Sequence, residues 1–527
     1  WYLYKVLRWG FIVFVFLFSR TKAQNQFLAR NVWIHPDVQL AMDYLDIKHP
    51  ESSFHASFKP YLSGYTRGFK DTLPFKSISD RRFLVPRRFF SASKLTWEST
   101  GLLNAAYLTS SSKSAYEWGY GSEHALLIKS NLAFVLNWNT TYSQLYSMGD
   151  SSWILLNQTS SSGTIMKRDR LKNTVLSENY QGYVSYNPGN SPYFNLQAGK
   201  GKHVVGDGYR SLLHSDHAPA YPYAQISAKA WRLQYHIWYA ALKHQSPIDP
   251  AFLMNKYGVF HYLSYKGPKG FQLGFFESVI WAGSDSLRKR SWDPSYLNPV
   301  VFFRPLEYHN GSPDNVLMGL NSSAVLYNFC KVYAQFALDE FLLKKMFSGS
   351  HWWGNKYAWQ LGLKGYINRH WFLQAEYNYV RPFTYSHLYT AQNYAHAGYA
   401  LAHPQGSNLK EAFLQGAYRY KSFAFALQYV NRNQGTETLQ ENLGNALFKS
   451  YASRTREDNF ITASENARNT QVAQTSWGIL LLPHNNIWLK FSLWATQVYE
   501  KQKVTNFGTQ ISLSTGIWNQ PVFPISQ

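Results

Sequence analysis

The stretch GDGYRSLLHSDHAPAYPY, Gly206 to Tyr223, crowds Asp207, Arg210, Ser211, His214, Ser215, Asp216 and His217 into eleven consecutive positions. Serine, histidine and acid are the members of a hydrolytic triad, built around Ser211 or Ser215 with His214 or His217. Such a triad is defined by geometry rather than adjacency, and no nucleophile-elbow pattern surrounds either serine. His214, Asp216 and His217 also have the donor types of a metal site, although in a loop these types more often serve as hydrogen-bonded polar groups. The glycine run just before, GKGKHVVGDG from Gly199 to Gly208, is not a dinucleotide cradle. That site needs a helix N-terminus directly after the glycines, and here two prolines follow with no helical period. The remaining reading is a structural segment in which Asp207, Arg210 and Asp216 pair with facing strands and the histidines are polar lining. No catalytic residue, metal or cofactor is assigned.

Four further stretches place charged or amide groups beside aromatic rings: FFRPLEYHNGSPDNV (302–316), VYAQFALDEF (332–341), EYNYVRPFTYSH (376–387) and AHPQGSNLKEAF (402–413). Carboxylates, amides and guanidinium groups satisfy sugar hydroxyls, and ring faces stack on sugar C–H groups. The candidate contacts to a polysaccharide are therefore Asp207, Tyr209, Arg210, Asp216, Arg304, Glu307, Asp339, Glu340, Arg381 and His387. The competing role for any one of them is an interior ion-pair network that rigidifies the fold.

From about residue 97 the chain falls into segments of roughly ten residues that alternate polar and apolar, separated by turns. In AWQLGLKGYINRHWFLQAEYNYV, Trp359, Leu361 and Leu363 share one face and Gln360, Gly362 and Lys364 the other. After a turn at Asn368 to His370, Leu373, Tyr377 and Tyr379 alternate with Gln374, Glu376 and Asn378. The pattern recurs around a tight turn at Lys421-Ser422, in residues 475–498, and in the last segment from Asn506. Residues Ser147 to Glu178 and Asn431 to Asn469 read as long polar loops. An open sheet of this length would leave edge amides unsatisfied in lipid, so the pattern implies a closed antiparallel transmembrane barrel. A soluble sandwich or propeller would bury one face in a core and leaves the aromatic outward positions unexplained.

Composition agrees. Aromatic residues make up 18% of the 527, yet mean hydropathy is −0.35, a combination suited to aromatic girdles around a polar interior. The start, WYLYKVLRWGFIVFVFLFSRTKAQ, reads as a secretory signal over residues 1–23, with basic Lys5 and Arg8, an apolar Trp9 to Phe18 and a small-residue cleavage site. The missing initiator Met is read as a truncated start. Cleavage would remove Lys5, Arg8, Arg20 and Lys22, lowering the net charge from +22 to +18. The single cysteine, Cys330, rules out an internal disulfide and is expected to be a small buried residue. Residues 24–95 read as a lead-in on the periplasmic side: one short helix, with Pro36 in its first turn and Val38, Ala41, Met42 and Leu45 at helical spacing, then irregular chain. Residues 96–527 form the barrel.

The order of GKGKHVVGDGYRSLLHSDHAPAYPY, VYAQFALDEF, YVRPFTYSH and GYALAHPQGSN across residues 180–420 resembles the Wzi family of outer-membrane capsule-assembly proteins, and most closely its RemB-like gliding motility relatives. The resemblance implies eighteen strands, a periplasmic helical part, and a non-enzymatic, lectin-like role in holding polysaccharide at the cell surface. It also implies possible partners among capsule-export or gliding-machinery proteins. This sequence has one N-terminal helix where the enterobacterial capsule proteins have a longer bundle.

The reading is thus an outer-membrane barrel that anchors surface polysaccharide, its positive charge suited to acidic glycans or lipopolysaccharide phosphates. The alternative is a porin-like channel for small polar or anionic solutes, tuned by lumen residues such as Lys364, Glu376 and Arg419. An outer-membrane acyl hydrolase ranks below both. The basic residues form no single stripe, so nucleic acid is not an expected partner.

Overall fold

A computed structural model describes residues 31–32, 36–62, 88–92, 95–110, 114–129, 131–144, 159–160, 163–169, 174–245, 253–284, 296, 314–438, 440–483, 486–500 and 502–515. The signal segment, Arg304 and Glu307 lie outside them.

Eighteen antiparallel strands close into one barrel. They are β1 (Leu95–Ser110), β2 (Ser114–Ile128), β3 (Leu132–Gln144), β4 (Thr174–Tyr186), β5 (Phe194–Gly201), β6 (Tyr221–Ala230), β7 (Leu233–Gln245), β8 (Leu253–Lys266) and β9 (Gln272–Ala282). The second half runs β10 (Asn315–Leu326), β11 (Cys330–Glu340), β12 (Lys356–Tyr366), β13 (Trp371–Val380), β14 (Leu409–Tyr420), β15 (Phe423–Gly435), β16 (Ala467–Leu482), β17 (Ile487–Tyr499) and β18 (Lys503–Thr515). Each pairs with the next, and β18 closes on β1 through Gly508 to Ser514 against Ser110 to Asn104. Closure pairs the strand edges that lipid could not satisfy.

The alternation read from the sequence is the wall itself. Leu361 is 57% exposed on the outside of β12 while its neighbour Gln360 is fully buried inside, and Leu373 and Glu376 of β13 divide the same way. The Lys421-Ser422 turn joins β14 to β15, and Cys330 is buried at the start of β11. At one end of the barrel, connections are two to seven residues long, from 231–232 to 187–193. Most of the connections at the other end are far longer, including 341–355, 381–408 and 436–466.

Three expectations need correction. The stretch Ser147 to Glu178 is not all loop: a strand at Gly163–Asp169 pairs with the upper half of β4, above the short β5, and β4 itself begins at Thr174. Likewise β15 reaches Gly435 and β16 starts at Ala467, so the loop between them is shorter than Asn431 to Asn469. Residues 50 to 95 are not simply irregular, since Phe58–Lys59 pairs with Val204–Val205, Tyr61–Leu62 with Asn31–Val32, and Arg88–Ala92 extends the wall beside the lower part of β1.

Among the described residues, the chain itself enters the lumen. Helix α1 (Pro36–Lys48) sits inside the short-turn end, where Tyr366 donates to the Leu40 carbonyl (2.5 Å) and Ile47 packs with Val325, Tyr366 and Phe372. The expected apolar stripe is there, with Ala41, Met42 and Leu45 buried, but so are Asp43 and Asp46, because a polar wall rather than water faces them. Residues 202–220, between β5 and β6, dip into the barrel, and residues 381–408 close over them. Leu212, Leu213, Tyr221, Trp238, Phe260, Tyr385, Tyr394 and Leu401 belong to one buried cluster linking plug, wall and cap.

Candidate functional site

The opening stretch of the plug is held by inward side chains of consecutive strands. Gln335 of β11 accepts from the Leu212 amide (2.8 Å) and donates to the Val205 carbonyl (3.0 Å). Gln360 of β12 donates to the Arg210 carbonyl (3.1 Å). Glu376 of β13 accepts from the amides of Tyr209 (2.8 Å) and Arg210 (3.1 Å), from the Tyr333 hydroxyl (3.0 Å) and from Asn378 (2.9 Å). A loop buried in a barrel must find partners for its amides and carbonyls, and these polar positions supply them.

Charges link plug, helix and wall. Lys331 of β11 bridges Asp207 of the plug and Asp46 of α1 (2.8 Å), and Asp46 also takes Lys266 of β8 (2.7 Å). Lys364 of β12 donates to Asp43 (2.7 Å) and to the Asp207 carbonyl (2.6 Å). Burial pushes the carboxyls of Asp46 and Asp207 up, but the adjacent lysines outweigh it and hold both below the usual carboxylate range. On the far side Arg210 pairs with Glu411 of β14 (3.1 Å), which His403 and Arg432 also approach, and Tyr209 stacks on Phe413 with ring centroids 3.9 Å apart. Asp216 differs: its side chain is exposed, and its carbonyl accepts from Lys202 (2.9 Å).

The catalytic and metal geometries are not formed by this stretch. Ser211 donates to the Val205 carbonyl (2.5 Å) and Ser215 to the Ala402 carbonyl (2.6 Å), so neither hydroxyl proton is directed to a histidine. His214 hydrogen-bonds Tyr221 (2.7 Å) and Tyr394 (3.2 Å), and burial holds its imidazole well below the usual range. Among the described residues no group of three His, Cys, Asp or Glu side chains is arranged to hold a metal ion.

Asp339, Glu340, Arg381 and His387 meet elsewhere, at the long-loop end. Lys356 approaches Glu340 (3.0 Å) and Asp339 (3.5 Å) and lies 4.8 Å from the centre of the Tyr451 ring. Asp339 accepts from the Tyr385 amide (2.8 Å). His387 meets Tyr451 edge-on, and burial holds its imidazole at about 4. Arg381 donates to the carbonyls of Trp352 (3.1 Å) and Phe460 (3.4 Å). These four residues belong to a platform at that end that also includes Trp352, Trp353, Tyr451, Arg454 and Glu457, with Tyr389 beside His387 at 6.3 Å between ring centroids. Both indole N–H groups point to Glu457, from Trp353 at 2.7 Å and Trp352 at 3.4 Å, and the Arg454 guanidinium lies 3.8 Å over the Trp353 ring. Tyr389 is 54% exposed.

The ten candidates therefore fall into a mid-lumen set (Asp207, Tyr209, Arg210), a platform set (Asp339, Glu340, Arg381, His387), the separate Asp216, and two outside the described residues. Lys364 and Glu376, considered as channel-lining charges, hold plug and helix, and Arg419 lies 5.0 Å from the Trp488 ring. Sequence reasoning missed the anchors Gln335, Gln360 and Glu411, though their inward parity was legible. It also missed the platform aromatics, which lie in loops without periodicity.

A closed 18-strand antiparallel barrel with an apolar outer face and a polar, occupied interior is an outer-membrane β-barrel. Its fold is similar to that of Wzi, an outer-membrane protein of Escherichia coli involved in group 1 capsule assembly and described as a carbohydrate-binding β-barrel: 14% identity, 92% of this chain and 99% of that one, TM-score 0.58. Pseudomonas aeruginosa OprD (9% identity, 79% and 94% covered, TM-score 0.43) and OccK2 in complex with glucuronate (8%, 79% and 97%, 0.43) are more remote, and that likeness supports no inference. No protein-family profile and no curated protein matches the chain.

Proposed function

We propose that the chain is a non-enzymatic outer-membrane barrel that holds surface polysaccharide, with the glycan engaged at the long-loop platform. The observation that carries the reading is the platform itself: the part-exposed Trp352 beside Glu457 (3.4 Å) and the exposed Tyr389 next to His387, at the end of a lumen that the chain's own helix and plug enter. Exposed aromatic faces beside charged groups suit pyranose rings and their hydroxyls. In outer-membrane barrels short turns are periplasmic and long loops extracellular. That convention puts α1, within the lead-in of residues 24–95, at the periplasmic side of the 96–527 barrel, behind a cleaved signal at 1–23. The carbohydrate binding of the E. coli barrel of the same fold supports the reading. A role in capsule assembly or in gliding-related adhesion, with the matching export or motility partners, is the finer form of the proposal.

Co-sedimentation of the detergent-solubilised protein with the producing cell's own surface polysaccharide tests it. Wild type is expected to sediment with the glycan. Because one stacked ring contributes about 1 kcal/mol beyond its buried area, near fivefold in affinity, Trp352→Ala with Tyr389→Ala should weaken binding by about tenfold or more. Wild type left wholly in the supernatant would refute the proposal.

A further inference from the structure

The connection between β11 and β12 carries an exposed apolar run. Phe341, Leu342, Leu343 and Phe347 are 39%, 48%, 59% and 81% exposed around the helical turn Leu343–Met346, with Lys344 and Lys345 between them. Monomeric soluble surfaces rarely gather four large apolar side chains in seven residues; such a patch normally has an occupant. Its position identifies the occupant. Just below it, on the outer face of β11 to β13, Phe336, Tyr357, Trp359, Tyr377 and Tyr379 form a chain of ring contacts with centroids 5.5–6.3 Å apart. Aromatic rings in such a band sit at the membrane–water interface. Phe341 follows Phe336 by five residues, about 16 Å of strand at about 3.3 Å per residue, so the run stands at headgroup level or just above it.

The charges complement an anionic headgroup. Lys356 takes up Glu340, and Lys345 lies 3.6 Å from Asp458 with both side chains 39% exposed. Lys344 is exposed and has no acidic partner among the described residues. A short segment of large apolar side chains with lysines among them lies in the plane of the interface, its apolar side in acyl chains and its ammonium groups at phosphate level.

We propose that residues 341–347 are a lipid-binding finger, with Phe341, Leu342, Leu343 and Phe347 inserted in the outer leaflet and Lys344 and Lys345 binding the phosphates of a phosphorylated glycolipid of the lipid A type. The assignment rests on the outward orientation of the long loops proposed above and not on polysaccharide binding.

The test is lipid retention by the intact barrel. Protein is reconstituted in nanodiscs containing phosphatidylethanolamine and diphosphoryl lipid A, re-extracted in mild detergent, and the lipid bound per barrel counted by native mass spectrometry. Wild type is expected to retain lipid A, and at least threefold less when both phosphates are removed from the lipid. Lys344→Ser with Lys345→Ser should reproduce that loss without changing phosphatidylethanolamine retention, and Leu343→Ser with Phe347→Ser should lower both lipids. The substituted side chains are largely exposed, and the folded state is verified by heat-dependent gel mobility; the dephosphorylated lipid reads the same contact with unmodified protein. Equal retention of diphosphoryl and dephosphorylated lipid by wild type would overturn the proposal, as would dimers that the apolar variant dissolves, since the patch would then belong to a second copy. Failure of polysaccharide co-sedimentation leaves this result unaffected, so the two proposals fail separately.

Discussion

Lys331 is the residue on which plug, helix and wall converge, touching both Asp207 and Asp46 with no side-chain exposure. Breaking a buried pair from one side leaves uncompensated charge and costs about 3–5 kcal/mol. Lys331→Met should therefore lower the heat-modifiability midpoint of the barrel clearly, and Lys331→Met with Asp207→Leu should recover part of the loss. No recovery in the double variant would show that the pair is not what links the plug to β11. The buried plug and loop histidines predict a pH dependence. Burial holds His203 at about 4, His217 at about 3 and His214 well below the usual range. The unfolded chain protonates them near 6.5, so their stabilising contribution is complete above about 6.5 and shrinks as pH falls from there towards the folded values. Asp46 and Asp207, held low, keep their contribution until pH falls below about 4, their unfolded value, and lose it only on further acidification. Melting followed by tryptophan fluorescence should give a lower midpoint at pH 5 than at pH 8; equal midpoints would contradict the burial of these imidazoles.

At the scale of elements, strands were the most legible part of the sequence, because a two-sided wall imposes a period of two on every segment. Leu361→Arg on the lipid face of β12 should cost about 2–4 kcal/mol near mid-bilayer in urea-dependent folding into vesicles. A negligible cost would mean that this face is not in lipid. What periodicity does not carry is what fills the inside. Gln335, Gln360 and Glu376 were readable as inward and polar, but their partners are backbone groups of residues 205–212, more than a hundred positions away. Helix α1 was legible from Pro36 and its apolar spacing, yet the burial of Asp43 and Asp46 could not be read, since it depends on Lys266, Lys331 and Lys364 of distant strands. The strand at Gly163–Asp169 was missed because it completes β4 only where β5 is too short to do so. The candidate residues in VYAQFALDEF and YVRPFTYSH did come together, whereas Tyr451, Arg454 and Glu457 reach the platform from a loop with no repeating pattern.

At the scale of the whole molecule, a wall that satisfies lipid surrounds an interior that, among the described residues, receives the chain's own helix, plug and cap. Planar-bilayer recording of the wild-type protein should accordingly show no sustained porin-type steps; regular open-channel steps would favour the transport reading. The central claim is that the outer platform holds polysaccharide at the cell. Its most direct test is the ratio of cell-associated to shed surface polysaccharide in a deletion strain complemented with either wild type or the Trp352→Ala, Tyr389→Ala pair, each checked for equal barrel content in the outer membrane. Wild type is expected to restore retention, and the paired variant to leave most of the polysaccharide in the medium. An unchanged ratio across deletion, wild type and variant would contradict it.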